Sequence, residues 1–163
     1  MTKDLNIADL INNGGCFDLQ FRKDVRHERL NSPTYYRWKI QFVITNPKEN
    51  SSLLEAAKQQ FDCGEISVSG GQARYSVQKI EDINNKVIPL LKKNKLTGKK
   101  SKDFELWRRA SEIIFKNKGK NLASWKKNDL HSLIEIQKSS TKYKKGPKQP
   151  KWIEIARSFA KTN

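Results

Sequence analysis

The chain has 163 residues, with 33 Lys and Arg against 17 Asp and Glu, which gives a formal net charge of +16. With 36% hydrophobic residues it is expected to fold rather than stay disordered, and it has no apolar run long enough to cross a bilayer. Such an excess of positive charge repels itself in a compact protein, so it predicts a polyanionic partner, which we take to be nucleic acid. A lysine-rich surface that reflects AT-rich genes is the alternative explanation.

The sequence lacks the residues that several kinds of site require. Cys16 and Cys63 have no metal-ligand spacing, and His27 and His131 have no Cys or Asp placed to bind a metal with them. No glycine-rich nucleotide-binding motif occurs. The first residues resemble neither a secretory signal nor a transit peptide, so we expect the protein to act in the compartment where it is made.

Hydrophobic periodicity predicts a mixture of helices and strands. A period of two residues indicates half-buried strands, and a period of three to four residues indicates amphipathic helices. Gly14-Gly15 is expected to end the first helix, Gly70-Gly71 to form a hairpin turn, and Pro89 to kink or interrupt a later helix. In chain order the predicted elements are helix 5–13, strands 17–22 and 36–45, helix 49–61, strands 65–69 and 72–80, and helices 81–94, 101–117 and 121–138. The side chains of helix 49–61 predicted to face the core are Leu53, Leu54, Ala57 and Phe61.

Composition near the C-terminus predicts the domain organisation. We expect a nucleic-acid-binding domain over residues 1–138, a basic linker over 139–151 and a short amphipathic helix over 152–163. The lysines of the basic segment are predicted to bind phosphates and its aromatics to stack on exposed bases, with a merely solvated linker as the competing interpretation. These residues are Lys142, Lys144, Lys145, Tyr143 and Trp152.

The order of the elements predicts an α+β fold in which helices cover one face of an antiparallel sheet. The apolar side chains of the strands are expected to face the helices. The opposite face is rich in Arg and Gln, which can form paired hydrogen bonds with base edges, so we predict that this face binds nucleic acid. An ordinary solvated sheet face is the alternative. The candidate binding residues on this face are Gln20, Arg22, Arg37, Lys39, Gln41, Arg74 and Gln78.

A known family shares these features in the same order. The segment IADLINNGGCF at residues 7–17 resembles the signature helix and first strand of the LAGLIDADG homing endonucleases and maturases. The resemblance continues to about residue 118, through WKIQFVITNPKENSSLLEAAKQQFDCGEIS, the turn LTGKK and the helix segment DFEL. It is similar to the single-motif branch of the family. The resemblance implies an αββαββα domain with a saddle-shaped antiparallel sheet, helices on one face and, here, a basic C-terminal extension.

The resemblance also implies a mode of assembly and of catalysis. In the family the motif helix packs against a second copy of itself, the sheets bind DNA, and an acid near the end of the helix binds the divalent metals that cleave both strands. A single motif implies a homodimer, or a protein partner, that contacts helix 5–13. The implied contact residues are Ala8, Asp9, Ile11 and Asn12. Lys99 and Lys100 lie in the turn that carries the family's active-site lysine, and phosphate binding is an equally open role for them.

The motif departs from the family at the residues that cleavage requires. The metal-binding acid falls at Gly14, and Asn12 and Asn13 precede it, so this segment has no carboxylate. Mg²⁺ prefers anionic oxygen ligands, and two-metal cleavage depends on them. We therefore expect no catalytic residue, no metal site and no cofactor, with Mg²⁺ needed only if Asp9 or Asp18 replaces the missing acid.

A second departure concerns the helix contact. Asp9 stands where the family usually has a small residue, so a two-fold axis would bring like charges together. A different partner, a monomer, or a homodimer with the acids turned outward are the alternatives.

Three functions fit these features. The first is a family member without cleavage activity that binds structured RNA, as an intron maturase or as part of an organellar ribonucleoprotein such as the mitochondrial ribosome. The second is an active homing endonuclease that acts on an intronless double-stranded DNA target. The third is a non-cleaving DNA-binding repressor. The resemblance and the many Asn and Lys residues, which AT-rich codons specify, imply an organelle-encoded protein. We expect it to be mitochondrial, with the chloroplast as the alternative, and to have no membrane partner.

Overall fold

The computed structural model describes residues 6–25, 34–140 and 149–161. Lys142, Lys144, Lys145 and Tyr143 therefore lie outside the described residues. The elements in chain order are α1 (Ile7–Gly14), β1 (Gly15–Val25), β2 (Thr34–Pro47), a 3₁₀ turn (Lys48–Asn50), α2 (Ser51–Phe61), β3 (Glu65–Ser69), β4 (Gln72–Val77), α3 (Ile80–Asp82), a π-helical turn (Ile83–Val87), α4 (Ile88–Lys93), α5 (Gly98–Lys116), a 3₁₀ turn (Leu122–Ser124), α6 (Lys127–Ser139) and α7 (Ile153–Ala160). Among the described residues, no helix is both long and apolar enough to cross a membrane.

The strands form one antiparallel sheet in the order β1-β2-β4-β3, which confirms the predicted α+β architecture. The β1–β2 ladder starts at the residue that follows α1, because Gly15 pairs with Ile44. Each strand alternates between an apolar side that faces the helices and a polar side that faces away from them. In β4, for example, Ala73, Tyr75 and Val77 are buried.

The core lies between the apolar side of the sheet and the helices, and aromatic rings fill its centre. Phe42 of β2 is fully buried, and its ring contacts four other rings at centroid distances of 5.4 to 6.4 Å. These rings belong to Phe17, Phe61, Tyr75 and Trp107. Such packing of large rings from strands and helices fixes the sheet relative to α2 and α5.

Two helix side chains hold the edge strand β1 in place. The indole Nε1 of Trp107 in α5 donates a hydrogen bond to the backbone oxygen of Asp18 at 3.2 Å. The amide Nε2 of Gln137 in α6 donates to the backbone oxygen of Leu19 at 3.1 Å. Because an edge strand has backbone groups that no neighbouring strand can pair, these bonds stabilise the part of β1 that carries Asp18.

Some predicted boundaries are wrong by a few residues, for local reasons. The last helix of the main domain begins at Lys127 rather than 121, since residues Leu122–Ser124 form a 3₁₀ turn. β4 ends at Val77, so Gln78 lies beyond the sheet where the chain turns toward α3. Pro89 follows the π-helical turn at the start of α4, which agrees with the predicted interruption.

One predicted core residue of α2 is exposed. Leu54, Ala57 and Phe61 are buried as predicted, but Leu53 is 41% exposed. The three buried residues recur at helical spacing and define the side of α2 that faces the sheet. Leu53 precedes Leu54 by one residue, and a rotation of about 100° per residue turns it away from that side.

The C-terminal helix α7 packs on the main domain. Ala156 and Ala160 are buried, and the ring of Phe159 lies 6.2 Å from that of Phe21 and from that of Tyr36. Lys127 Nζ of α6 donates to the backbone oxygen of Phe159 at 2.7 Å.

The residue before α7, Trp152, contacts a ring and two cations. Its ring lies 6.2 Å from that of Tyr36, and the ammonium groups of Lys23 and Lys151 lie over it at 5.2 and 5.4 Å. Trp152 is thus half-buried against the main domain, and its stacking on a base stays a prediction.

Candidate nucleic-acid interface

The face of the sheet that points away from the helices, which we call the open face, is polar across all four strands. Strand pairing places its residues opposite one another: Asp18 faces Gln41, Gln20 faces Lys39, Arg22 faces Arg37, and Arg74 faces both Thr45 and Ser67. The predicted binding residues that lie on this face are Gln20, Arg22, Arg37, Lys39, Gln41 and Arg74. Their role in binding stays a prediction, while their common placement is a property of the fold.

A shallow depression of about 630 Å³ lies at the centre of the open face. Its lining is mostly amide, hydroxyl and charged side chains, which can exchange hydrogen bonds with a ligand. The lining residues are Cys16, Asp18, Gln20, Gln41, Val43, Thr45, Ser67, Ser69, Gln72 and Arg74. A surface with this mixture of donors and acceptors can contact both base edges and phosphates.

Cations gather on the open face beside the depression. The direct pairing of Arg22 with Arg37 places like charges on opposite strands, which costs stability in the free protein. The pKa of the Lys39 ammonium is lowered, first because the group is partly buried and then because Arg22 and Arg37 lie near it. Arg37 also forms an ion pair with Asp24. A polyanionic ligand would relieve this repulsion.

Within the depression, one carboxylate holds two amides. Gln20 Nε2 donates to Asp18 Oδ2 at 2.6 Å, and Gln41 Nε2 donates to the same oxygen at 2.8 Å. All three side chains are half-buried. Strand alternation predicted that Asp18 lies on this face, but not that it binds both predicted glutamines, because strand pairing cannot be obtained from the pattern of one strand.

The end of the motif helix leaves no room for an acidic side chain. A Cβ atom at Gly14 would stand 2.1 Å from the backbone oxygen of Thr45 in β2. This contact arises because the ladder begins at Gly15, which brings the end of α1 directly against β2. Lys100 Nζ donates a hydrogen bond to the backbone oxygen of Gly15, so the first turn of α5 reaches this position, whereas Lys99 is exposed.

The donor groups around the end of α1 do not suit Mg²⁺. Asn12 and Asn13 are exposed amides, Gly14 offers no side chain, and Lys100 contributes a positive charge. Within residues 6–25, 34–140 and 149–161, no three His, Cys, Asp or Glu residues are grouped so that they could hold a metal ion. Asp18 lies on the open face, and Asp9 lies in the first turn of α1, away from Gly14.

The exposed side of α1 differs from the implied contact surface. Ile11 was predicted to contact a partner helix, but it is fully buried in the core of its own chain together with Ile7. The apolar side of this short helix packs on the sheet, which leaves polar residues facing outward. The exposed residues are Asp9, Asn12 and Asn13, and Ala8 is half-buried.

A helix-led αββαββα unit with a basic, polar sheet face has the architecture that was implied by the resemblance to a nucleic-acid-binding family. A sequence model of the family described as LAGLIDADG endonuclease matches residues 8–111. Because this match covers more than half of the chain, the protein belongs to the LAGLIDADG endonuclease family, as the sequence predicted. The matched residues contain one copy of the motif helix, which agrees with the single-motif branch.

A curated relative has a similar sequence. Probable intron-encoded DNA endonuclease 1 of Mycosarcoma maydis is 30% identical over 101 residues, which cover 61% of this chain and 34% of that protein. The chain therefore spans about a third of the length of the curated relative that it matches.

Solved structures share the fold. The homing endonuclease I-TnaI superposes with a TM-score of 0.71 at 17% identity, over 99% of this chain and 100% of that chain. I-SmaMI, bound to an uncleaved DNA target, superposes with a TM-score of 0.74 at 19% identity, over 97% of this chain and 49% of that chain. The LAGLIDADG meganuclease I-AabMI, bound to uncleaved DNA, superposes with a TM-score of 0.67 at 23% identity, over 97% and 49% of the two chains.

Proposed function

We propose that this protein binds nucleic acid through its open face and does not cleave it. The observation that carries the proposal is the end of α1, where Gly14 replaces the family's metal-binding acid and the Thr45 backbone oxygen occupies the space of a side chain. The cations of the open face remain, and among the described residues no three His, Cys, Asp or Glu side chains are grouped to hold a metal ion, which supports binding without cleavage.

The first candidate target is structured RNA, in the role of an intron maturase or of a component of an organellar ribonucleoprotein such as the mitochondrial ribosome. A protein that no longer cuts DNA can still use a cationic sheet to bind phosphates and unpaired bases. The intron-encoded relative supports an organellar origin, for which we propose mitochondria.

The second candidate is duplex DNA, bound either by a repressor or by an endonuclease with unusual ligands. It is supported by the superposition on two proteins that are bound to uncleaved DNA, I-SmaMI and I-AabMI. The side chains of the open face also suit the edges of bases in a major groove, which an A-form RNA helix does not make accessible.

Binding and cleavage are tested separately with the full chain. At physiological salt, structured organellar RNA is expected to bind more tightly than random duplex DNA, and equal affinity for the two would overturn the RNA target. A randomised duplex library is then incubated with the protein and Mg²⁺. We expect no cleaved molecules, and cleavage that disappears on chelation would overturn the loss of activity.

We further propose that α1 does not mediate a tight homodimer. Its exposed residues, Asp9, Asn12 and Asn13, offer a partner little apolar area, and a two-fold axis would bring the Asp9 carboxylates together. Sedimentation equilibrium is expected to show a monomer at micromolar concentration. A stable dimer that Asp9→Arg dissociates, while Glu112→Arg on α5 does not, would show that α1 pairs after all.

A further inference from the structure

We propose that Asp18 determines base specificity by orienting the amides of Gln20 and Gln41, so that this part of the open face selects bases that present an amino group on their major-groove edge, adenine or cytosine. This inference rests on the proposed function, because it concerns how the same face recognises nucleic acid. The recognised chemistry, an amino group on a base edge, is common to DNA and RNA.

The hydrogen bonds to Asp18 fix which end of each amide is presented. An ionised carboxylate can only accept hydrogen bonds, so both amides must turn their Nε2 groups toward Asp18, as the distances of 2.6 and 2.8 Å show. In a planar amide the oxygen lies on the other side from the nitrogen. Each Nε2 keeps a second hydrogen, but the group turned away from Asp18 toward a base is Oε1, which accepts hydrogen bonds. Without the carboxylate each amide could turn over and present a donor.

The backbone holds this arrangement in a defined geometry. Asp18 and Gln41 are directly opposite one another in the β1–β2 ladder, and Gln20 lies two residues further along the same face. The backbone oxygen of Asp18 accepts a hydrogen bond from Trp107, and that of Leu19 accepts one from the buried Gln137. Because these partners lie in α5 and α6, the position of Asp18 is coupled to the packed core, and the amides lose little further freedom when a base binds.

The charge of Asp18 points to base recognition rather than phosphate binding. A carboxylate repels phosphate, so the presence of Asp18 on a face with many cations lowers the affinity for any backbone. The same group accepts hydrogen bonds from the amino group of cytosine, and glutamine oxygens accept from adenine N6. On their major-groove edges guanine and thymine present oxygens to such a surface, and two acceptors placed together repel one another. The open face is thus divided into an acceptor group, formed by Asp18, Gln20 and Gln41, and the cations that lie beside it.

Selection from randomised pools tests this division. Full-length protein and its Asp18→Asn variant are each used to select from randomised duplex DNA and from randomised structured RNA, and the bases at each bound position are counted. We expect the wild-type protein to favour adenine or cytosine at one or two positions. Asp18→Asn is expected to lower that preference by about tenfold, while its affinity for the unselected pool stays equal or increases because a negative charge is lost.

Asp62→Asn is the matched control, since it makes the same chemical change at an exposed left-handed position after α2, where Asn is tolerated. It is expected to select the same bases as the wild-type protein. An unchanged preference in Asp18→Asn, or a wild-type preference for guanine, thymine or uracil at those positions, would overturn the inference. A wild-type protein that retains neither pool would instead overturn the proposed function. The pool that yields the preference shows whether DNA or RNA is the source of the base.

A second variant keeps the test decisive if Asp18→Asn does not fold, which circular dichroism would show. Gln41→Met keeps the length of the side chain and removes the acceptor. It is expected to lose the same base preference, and an unchanged preference would overturn the inference.

Discussion

The backbone oxygen of Thr45 lies 2.1 Å from the place where a Cβ atom of residue 14 would stand, so Gly14 is the residue that lets β2 approach the end of α1. A carbon atom cannot come this close to an oxygen without a shift of the backbone. The position that carries the metal-binding acid in the family is therefore closed as well as without a carboxylate.

Substitution of Gly14 is expected to destabilise the protein and not to restore cleavage. Gly14→Ala should lower the free energy of unfolding by about 1–3 kcal/mol, the usual cost of overpacking, because the Thr45 backbone must move. Gly14→Glu should cost more and yield no Mg²⁺-dependent cleavage of duplex DNA. Chemical denaturation and a cleavage assay measure the two effects. Gly71→Ala is the control, since a Cβ there meets nothing within 4 Å. A Gly14→Ala protein as stable as Gly71→Ala would contradict the close approach.

Arg22 is expected to favour binding at a small cost to the free protein. Arg22→Gln removes a charge that faces Arg37 across the strands, so the free protein should gain at most about 0.5 kcal/mol of stability. If Arg22 contacts a phosphate, the slope of log K against log salt should fall by about 1. Titrations at several salt concentrations measure this slope. Lys58→Gln, on the exposed side of α2, should leave it unchanged, and equal losses in both variants would assign no special role to the open face.

Lys39 is expected to make stability depend on pH in the alkaline range. Burial, followed by Arg22 and Arg37, lowers its pKa in the folded protein. Between the folded and the unfolded pKa the unfolded chain binds more protons, so the free energy of unfolding rises with pH in that range. Below the folded pKa the lysine is charged in both states, and the full cost of burying its charge lowers the stability of the folded protein. Lys39→Met should therefore raise the Tm at neutral pH and reduce the increase in Tm that occurs at alkaline pH. Thermal unfolding across this range tests it, with Lys58→Met as the control for the loss of one charge. A lower Tm for Lys39→Met would contradict the prediction.

Packing of α7 is expected to stabilise the main domain. Phe159→Ala removes ring contacts with Phe21 and Tyr36, and because Phe159 is only half-buried we expect a loss of about 2 kcal/mol, below the range for a fully buried Phe. Phe115→Ala, at a ring that is 37% exposed, is the matched control and should cost less. Denaturant unfolding measures both. No loss at Phe159 would show that its ring contacts add nothing to stability, and equal losses would show that they add no more than an exposed ring does.

Much of the fold could be predicted from local sequence patterns. Alternation in β1 and β2 correctly separated the apolar side from the polar side, since successive side chains of a strand point to opposite faces. The errors arise where a boundary depends on what packs nearby. Gln78 continues the alternation of β4 but lies past its end, and Leu53 is as apolar as Leu54 but turns away from the sheet.

The candidate site was predictable only in part. Arg22, Arg37, Lys39 and Arg74 were identified as residues of one face, and the structure places them there. The signature segment likewise predicted that α1 leads directly into β1. The predicted partner contact of Ile11 was wrong. The apolar side of this short helix packs against its own sheet, so Ile11 is fully buried and cannot contact a partner.

By itself, the sequence determined the excess of cations, the polar and apolar sides of each strand and the absence of a carboxylate at residues 12–14, because these are properties of residue identity and local spacing. Only the tertiary structure decided that Asp18 binds both Gln20 and Gln41, that Arg22 faces Arg37, and that Thr45 closes the space beside Gly14. Each of these contacts joins residues whose proximity depends on strand register and core packing, which the pattern of a single segment does not specify.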